Sequence, residues 1–144
     1  MAIGGPYKFS ALSRAQLDTC DPRIVEVLEE AIKLYDFNVS EGHRSIARQQ
    51  ALYAQGRTMP GKVVTKVDGV RTKGTHNYSP SRAVDVNPWP IDFTTKGRER
   101  YIHLAGIILG IAAMKGITLR WGNDWNGDDD FKDGWDLPHF EVVD

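Results

Sequence analysis

Three absences narrow the classes of protein to which this 144-residue chain can belong. Cys20 is the only cysteine, so no intramolecular disulfide can form and packing or a bound metal must stabilise the fold. No stretch approaches the roughly 18 apolar residues of a membrane span, so we expect no membrane insertion. Lys and Arg number 18 against 19 Asp and Glu, a formal net charge of -1. Without an excess of basic residues, we expect no nucleic-acid partner.

The amino terminus also lacks the pattern of an export signal. Residues 1–10 show no charged segment followed by an apolar run, so we expect a protein made in the cytoplasm. Apolar residues make up 41% and charged residues 26%, which is ordinary for a globular protein. At 144 residues, and with no internal repeat or linker, the chain is expected to form a single domain over residues 1–144. We also expect a monomer.

Helical spacing of apolar residues predicts two long helices. In residues 22–35 apolar side chains recur every three or four residues, and Asp21 before a proline is a typical helix start. A second helix is predicted over residues 95–115, and Gly116, directly after it, is predicted to end the helix. A shorter helix is expected from Ser45 to Gln55.

Weaker local signals predict one more helix, a turn and the strands. Ser13 and Gln16 resemble a capping box, which places a helix start at Ser13. Residues 67–70, Val-Asp-Gly-Val, suggest a tight hairpin turn within a rim rich in Gly, Lys and Thr. Short strands are expected at 37–39, 83–87, 117–121 and 140–143.

Histidine and aspartate cluster beside two of the expected strands. A catalytic zinc takes three protein ligands and keeps one open position, and His76, Asp85 and His139 offer suitable donors. The segment between His76 and Asp85 must then turn back on itself, and Pro80 between two serines suits such a turn. A surface histidine, a turn aspartate and a core histidine are the ordinary alternatives. Spacing alone leaves both interpretations open, because no close-spaced zinc signature occurs.

The sequence around these residues resembles a known peptidase family. His76, then Ala83-Val84-Asp85, and later Asp136-Leu137-Pro138-His139-Phe140-Glu141 are similar to the pattern of one family. That family contains the VanY-type D-alanyl-D-alanine carboxypeptidases and the phage L-alanyl-D-glutamate endolysins. The resemblance implies that His76, Asp85 and His139 hold a zinc ion.

Two further segments carry the resemblance, and two features depart from it. Gly42-His43-Arg44-Ser45 with Gln50 is similar to the family's helix start, and Trp121-Gly122-Asn123-Asp124-Trp125 to the approach to its last strand. His43 replaces the commoner tyrosine, and the gap between His76 and Asp85 is longer than in many members. The longer gap resembles the phage endolysin branch, which favours endopeptidase activity.

The resemblance also implies catalytic roles. Zinc polarises a carbonyl and activates water at neutral pH, and Asp136 holds the position of the general base. Arg44 is our candidate for stabilising the oxyanion formed by attack on an amide. Glu141 lies close to His139 at an expected strand, where neighbouring side chains face opposite ways, so we expect for it either a structural role or one that supports the ligand.

These expectations combine into one fold and one function. The fold class is α+β: a small antiparallel sheet flanked by the helices at 22–35 and 96–115, with the zinc site on the sheet face. The resemblance implies a peptidoglycan endopeptidase that hydrolyses the L-alanyl-D-glutamate bond of stem peptides during phage lysis, with no separate wall-binding domain. It would act in the periplasm after the membrane is permeabilised. The alternatives are a D-alanyl-D-alanine carboxypeptidase and a non-catalytic cell-wall binding module.

An acidic loop partly resembles a calcium-binding loop, because oxygen-bearing side chains alternate along it. The match is incomplete, since Asp129 stands where an EF-hand loop has glycine and Trp135 replaces the final glutamate. A plain solvated loop is the alternative. The alternating residues are Asp124, Asn126, Asp128 and Asp130.

Large aromatic residues and the cysteine each allow two interpretations. Trp121, Trp125, Trp135 and Tyr78 either line a substrate cleft or belong to the core, as large aromatics more often do. Cys20 is expected to be a buried apolar residue. A cysteine nucleophile would require long-range contacts that the sequence does not reveal.

Overall fold

Four antiparallel strands and four α-helices make up the part of the chain that the structure, a computed structural model, describes: residues 7–92, 94–128, 130 and 134–144. This confirms the predicted α+β class. A short 3₁₀ turn at Thr75–Asn77 lies ahead of the second strand. In chain order the elements are α1 (Ala11–Leu17), α2 (Pro22–Ala31), β1 (Phe37–Glu41), α3 (Ile46–Ala54), β2 (Ala83–Pro88), α4 (Thr95–Met114), β3 (Leu119–Trp121) and β4 (His139–Val142).

The sheet has the strand order β1-β2-β4-β3, and every neighbouring pair is antiparallel. Side chains alternate between its two faces, as they must on a pleated strand. Val84 and Val86 on β2 and Phe140 on β4 are buried in the apolar core. Asp85 and His139, directly opposite each other in the register, therefore share the other face. The sheet thus separates an apolar face from a polar one.

Helices α2 and α4 cover the apolar face of the sheet. Leu28 and Ala31 of α2 pack with Leu104 and Ile108 of α4 in one buried cluster. Asp21 caps α2 through Arg23 N, as predicted. These two helices are the predicted flanking pair. None of the described helices has the length and apolar character of a bilayer-spanning segment.

Two predicted helix boundaries are wrong. α1 begins at Ala11, capped by Ser10, whose hydroxyl accepts from Ser13 N. Ser13 is buried instead, and its hydroxyl accepts a hydrogen bond from Val39 N at 3.0 Å, which ties α1 to β1. α2 ends at Ala31 rather than Tyr35, because the chain leaves the helix through turns at residues 32–34.

The predicted turn at residues 67–70 exists, but it does not join two strands. Asp68 Oδ1 accepts hydrogen bonds from the backbone N–H groups of Val70, Arg71 and Thr72 at 2.9, 2.8 and 3.2 Å. No strand flanks this turn among residues 56–74, all of which the structure describes. Local side-chain bonding therefore shapes a loop where a hairpin was expected.

Candidate metal centre

His76 is placed by a loop that folds back on itself. Arg82 N donates to Thr75 O at 3.0 Å, so the segment between His76 and β2 reverses as predicted. Arg44 N donates to His76 O at 2.7 Å, and Asn77 Nδ2 donates to Arg44 O at 3.0 Å. These bonds fix the 3₁₀ turn against the start of α3 and bury the His76 ring.

The ring nitrogens of His76 have different roles. Nδ1 lies 2.8 Å from Gly42 O, and because a carbonyl oxygen can only accept, Nδ1 carries the proton. Nε2 is then left with its lone pair. It lies 3.4 Å from Asp85 Oδ1 on β2. His76 is thereby oriented to offer Nε2 to a metal.

The antiparallel register supplies the other two candidate ligands. Asp85 and His139 are Cα partners on β2 and β4, and His139 Nδ1 lies 3.5 Å from Asp85 Oδ1. His139 Nε2 lies 2.7 Å from Glu141 Oε1, so in the neutral ring, the form that binds a metal, Nε2 donates to the carboxylate and Nδ1 keeps its lone pair. In their neutral forms both imidazoles therefore direct an unprotonated nitrogen at the same carboxylate oxygen.

The predicted direction of the Glu141 side chain needs correction. Residues two apart on a strand share a face, so Glu141 lies on the same face as His139 rather than the opposite one. Its hydrogen bond fixes the tautomer and the orientation of the imidazole. This is the carboxylate–histidine arrangement that supports many metal ligands.

The three residues fit a metal ion by two independent observations. Ligand atoms of His76, Asp85 and His139 all lie within 4.8 Å of one another. The two measured separations, 3.4 and 3.5 Å, match the roughly 3.3–3.6 Å between donors bound tetrahedrally to zinc at about 2.0–2.2 Å. His76 Nε2 and Asp85 Oδ1 are also buried without a hydrogen-bond partner. A cation would satisfy both atoms.

The electrostatics of the cluster favour a cation. Burial by itself would raise the pKa of Asp85, but His139 and His76 hold that pKa well below its ordinary value. Burial would lower the pKa of His139, but its contacts with Asp85 and Glu141 raise that pKa to about 9. The surrounding groups thus stabilise positive charge at the point where the three ligand atoms meet.

Asp136 lies at the metal-facing side of His139. Its Oδ2 is 3.9 Å from His139 Nδ1, the nitrogen directed at Asp85. Burial raises the pKa of the Asp136 carboxyl, an effect that His139 opposes and Asp85 strengthens. Gly122 O accepts from the N–H groups of Trp135 and Asp136, at 3.1 and 3.0 Å, which fixes the loop backbone. The carboxylate is therefore close enough to exchange a proton with a water at the site.

Arg44 reaches the other side of the cluster. Its Nη2 lies 3.9 Å from Asp85 Oδ2. Glu41 binds the guanidinium through two oxygens, at 2.8 Å to Nε and 2.9 Å to Nη2. Gln49 Oε1 accepts from Nη1 at 2.9 Å. The guanidinium is thus held in a fixed plane beside the candidate ligands.

Glu41 and Gln49 were missed by the sequence analysis. The resemblance pointed to Gln50, which is exposed, whereas its neighbour Gln49 is 2% exposed and binds Arg44. Glu41 lies at the end of β1, three residues before Arg44. This spacing of an acidic and a basic residue is the feature of the sequence that could have predicted their ion pair. Their roles depend on how the chain turns at Gly42, which the sequence does not specify.

A cleft of about 920 Å³ opens over the cluster. It is lined by residues of α3, by residues 63–67 and 73–75, and by Trp125 and Trp135. Trp121, by contrast, is 3% exposed and packs on Phe140 in the core. Tyr78 lies under Lys73, whose Nζ is 4.3 Å from the ring centroid. Of the four aromatic candidates, two therefore line the cleft.

Cys20 lies away from this cleft, in the apolar core. Burial raises the pKa of its thiol to about 12. The hydrogen-bond acceptors near its sulfur are the backbone oxygens of Gln16 and Ala83, at 3.7 and 3.9 Å. A protonated thiol bonded to carbonyls is not an activated nucleophile.

The acidic loop is described only in part, since Asp129 and Asp133 lie outside the described residues. Asn126 Nδ2 donates to Asp128 Oδ2 at 3.2 Å, and Asp130 N donates to Asp128 Oδ1 at 2.8 Å. Asp124 is buried, whereas the other three alternating residues are exposed. Calcium binding by this loop stays a prediction.

Comparisons with known proteins identify the family. The sequence model of the phage L-alanyl-D-glutamate peptidase family matches residues 5–143. The peptidoglycan L-alanyl-D-glutamate endopeptidase CwlK of Bacillus subtilis (strain 168) is 30% identical over 78% of this chain, which spans 64% of that relative's length. The L-alanyl-D-glutamate peptidase of Escherichia phage T5 is 26% identical, over 95% of this chain and 98% of its own.

A solved structure agrees with these sequence matches. The crystal structure of the L-Ala D-Glu endopeptidase ChiX from Serratia marcescens superposes with a TM-score of 0.66 and 26% identity. The match covers 96% of this chain and 92% of ChiX. The resemblance inferred from the motifs is thereby confirmed, and the chain belongs to the phage L-alanyl-D-glutamate peptidase family.

Proposed function

We propose that this chain is a zinc-dependent endopeptidase that hydrolyses the L-alanyl-D-glutamate bond of peptidoglycan stem peptides and serves phage lysis. The observation that carries the proposal is the cluster of His76, Asp85 and His139, whose buried atoms Nε2 and Oδ1 lack a partner inside a cleft. The choice of the L-alanyl-D-glutamate bond as the scissile bond follows the names of the relatives. The protein would be made in the host cytoplasm and act in the periplasm once the membrane is permeabilised.

Zinc is the proposed metal because of the donor set. Two imidazole nitrogens and one carboxylate oxygen form a set that catalytic zinc sites use, with a position left open for water or substrate. When bound, zinc polarises the scissile carbonyl and activates water near neutral pH. His76 Nε2, Asp85 Oδ1 and His139 Nδ1 would hold it. Glu141 would keep the His139 ring in the binding orientation.

Asp136 is the proposed general base. Its carboxylate, 3.9 Å from His139 Nδ1, takes a proton from the attacking water and returns it to the leaving amine of D-glutamate. Burial raises its pKa above the ordinary aspartate value, which brings its basicity nearer to that required at neutral pH. Its side chain keeps 30% exposure, so a water molecule can reach it.

Arg44 is the proposed partner of the oxyanion. Attack on the amide carbonyl places negative charge on its oxygen, and a guanidinium that is already oriented stabilises this charge without reorganisation. Glu41 and Gln49 hold three of the guanidinium nitrogens. They act as positioning residues, because they contact Arg44 rather than the substrate.

Digestion of purified sacculi tests this proposal. The zinc-loaded protein should release stem peptides that begin with D-glutamate and leave L-alanine on the glycan, as read by mass spectrometry. Removing the metal with a chelator should abolish the release, and zinc should restore it. Loss of terminal D-alanine alone would instead identify a carboxypeptidase. Binding to sacculi without any released peptide would identify a non-catalytic wall-binding module.

A further inference from the structure

The charges that line the cleft divide into those with an ion-pair partner or a proposed role and those without either. Arg44 is paired with Glu41, and Arg48 Nε lies 3.4 Å from the same carboxylate. Lys66 and Lys73 also line the cleft, and neither forms an ion pair with any residue that the structure describes. The carboxylates that line it all have a partner or a proposed role: Glu41, Asp85, Asp136 and Glu141.

Both lysines belong to a segment with a strong charge bias. Residues 56–74, here called the basic loop, contain five Lys or Arg and a single acidic residue, Asp68. The carboxylate of Asp68 is occupied by three backbone N–H groups of its own turn. The uncompensated charge that this loop presents to the cleft is therefore positive, and a cleft concentrates the field of such charges on its contents.

Lys73 lies close to the reacting centre. His76 follows it by three positions in the chain, a backbone distance of at most about 11 Å. Residues 73–76 line the cleft one after another. The Lys73 ammonium now lies over the Tyr78 ring, 4.3 Å from its centroid, and a flexible four-carbon stem lets it rotate toward a ligand. Gln49 ties the basic loop to α3 by donating to Val67 O at 2.6 Å.

We propose that Lys66 and Lys73 form a subsite for a free carboxylate next to the scissile amide, namely the α-carboxylate of the D-glutamate residue. This inference rests on the proposed function. The carbon that bears the leaving nitrogen of D-glutamate also bears this carboxylate, which stays free when the peptide continues through the side-chain carboxyl. The enzyme should then discriminate between peptides with D-glutamate and peptides in which that carboxylate is amidated.

Three synthetic peptides test the subsite. All are N-acetyl-L-alanyl-γ-D-glutamyl peptides: one has a free α-carboxylate and an amidated C-terminus, one has both groups amidated, and one has an α-carboxamide with a free C-terminus. The zinc-loaded wild type should cleave the first with a kcat/KM about 10–100-fold above that of the second, the range expected for a hydrogen bond to a charged group. The third peptide, compared with the first, shows whether the lysines recognise the α-carboxylate of D-glutamate or a carboxylate at the C-terminus.

Variants assign the preference to residues. Lys66→Gln and Lys73→Gln should each reduce the ratio between the first and second peptides, and the double variant should bring it close to one. Lys62→Gln is the matched control, because Lys62 belongs to the same basic loop but does not line the cleft. It should keep the wild-type ratio. Equal thermal midpoints for all variants would show that the exposed substitutions leave the fold intact.

The outcomes separate failure of the subsite from failure of the proposed function. Equal cleavage of the first two peptides by the wild type would overturn the subsite and leave the endopeptidase proposal standing. The subsite would also be overturned if the double variant kept the wild-type ratio of kcat/KM between the first and second peptides. Faster cleavage of the third peptide than the first would assign the lysines to a terminal carboxylate and overturn the D-glutamate assignment. Cleavage of none of the three between L-alanine and D-glutamate would contradict the proposed function itself.

Discussion

The site has two halves that are held in different ways. Asp85, His139 and Glu141 form the sheet half, placed by the antiparallel register of β2 and β4. Asp136 and the basic loop form the loop half, placed by turns, backbone carbonyls and the Gln49 side chain. The sheet half carries most of the proposed metal ligands. The loop half carries the proposed base and the carboxylate subsite.

This division follows from what each kind of structure can fix. A strand register sets the distance between side chains on one face to within a fraction of an ångström, which a metal site requires. A loop tolerates exchange of side chains without disturbing the core, and that freedom suits groups that select substrates. Substitutions in the sheet half should therefore lower the affinity for the metal. Substitutions in the loop half should lower turnover or substrate selectivity while the metal stays bound.

Removal of a sheet-half ligand should have the largest effect. Asp85→Asn and His139→Ala should each lose zinc on dialysis and reduce peptidase activity by more than about 10³-fold, since the metal provides several kcal/mol of transition-state stabilisation. Metal content and turnover on sacculi measure the two effects. His103→Ala, at an exposed histidine of α4, is the control and should behave as wild type. A fully active, zinc-free Asp85→Asn protein would contradict the claim that the sheet half holds a metal required for activity.

Removal of the proposed base should affect turnover alone. Asp136→Asn keeps the size of the side chain but cannot take up a proton, so turnover should fall by about 10²–10⁴-fold. Zinc content should stay at the wild-type level. Asp18→Asn, at an exposed aspartate that follows α1, controls for loss of a carboxylate. Unchanged turnover of Asp136→Asn would remove Asp136 from the mechanism.

Loss of the support beneath His139 should have a smaller effect on the metal. Glu141→Gln weakens the charged hydrogen bond to Nε2, and zinc affinity should fall by about 10–100-fold, as for other carboxylates that orient a ligand. Competition with a chromophoric chelator measures this affinity. Glu99→Gln on α4 is the control. An unchanged affinity would mean that the register alone orients His139.

Alkylation of the cysteine should have the smallest effect. Burial raises the pKa of Cys20 to about 12, so the thiol stays protonated as pH rises through 8, and only a protonated, buried sulfur faces the reagent. Iodoacetamide at pH 8 should leave both mass and activity unchanged. Unfolded protein should react fully and serves as the positive control. Modification of the folded protein with loss of activity would contradict this assignment.

The sequence predicted the sheet half better than the loop half, for a physical reason. Alternation along β2 and β4 follows from the two-residue period, and the helices that cover them follow from apolar stripes, so His139 and Asp85 could be placed on one sheet face. The family resemblance, rather than the spacing, then favoured His76, Asp85 and His139 together as metal ligands. The prediction of one domain without a separate wall-binding module stays a prediction.

What the sequence did not predict depends on contacts between distant segments. Ser13 resembles a cap but bonds to Val39 in β1, so tertiary structure decided between Ser13 and Ser10. Gln49 rather than Gln50 reaches Arg44, because helix α3 turns only the former toward β1. The choice of ring nitrogen in each histidine depends on Gly42 and Glu141 in the same way, and no local pattern encodes it.

X-ray absorption spectroscopy at the zinc edge, on the zinc-loaded chain, tests the central claim most directly. The claim is that His76 Nε2, Asp85 and His139 Nδ1 bind one metal ion. The account predicts one zinc per chain, two imidazole nitrogens at about 2.0–2.1 Å and oxygen ligands at about 2.0–2.2 Å. Zinc that still binds to His76→Ala at excess metal should have a single imidazole ligand. A sulfur ligand at about 2.3 Å, or a spectrum without imidazole, would contradict it.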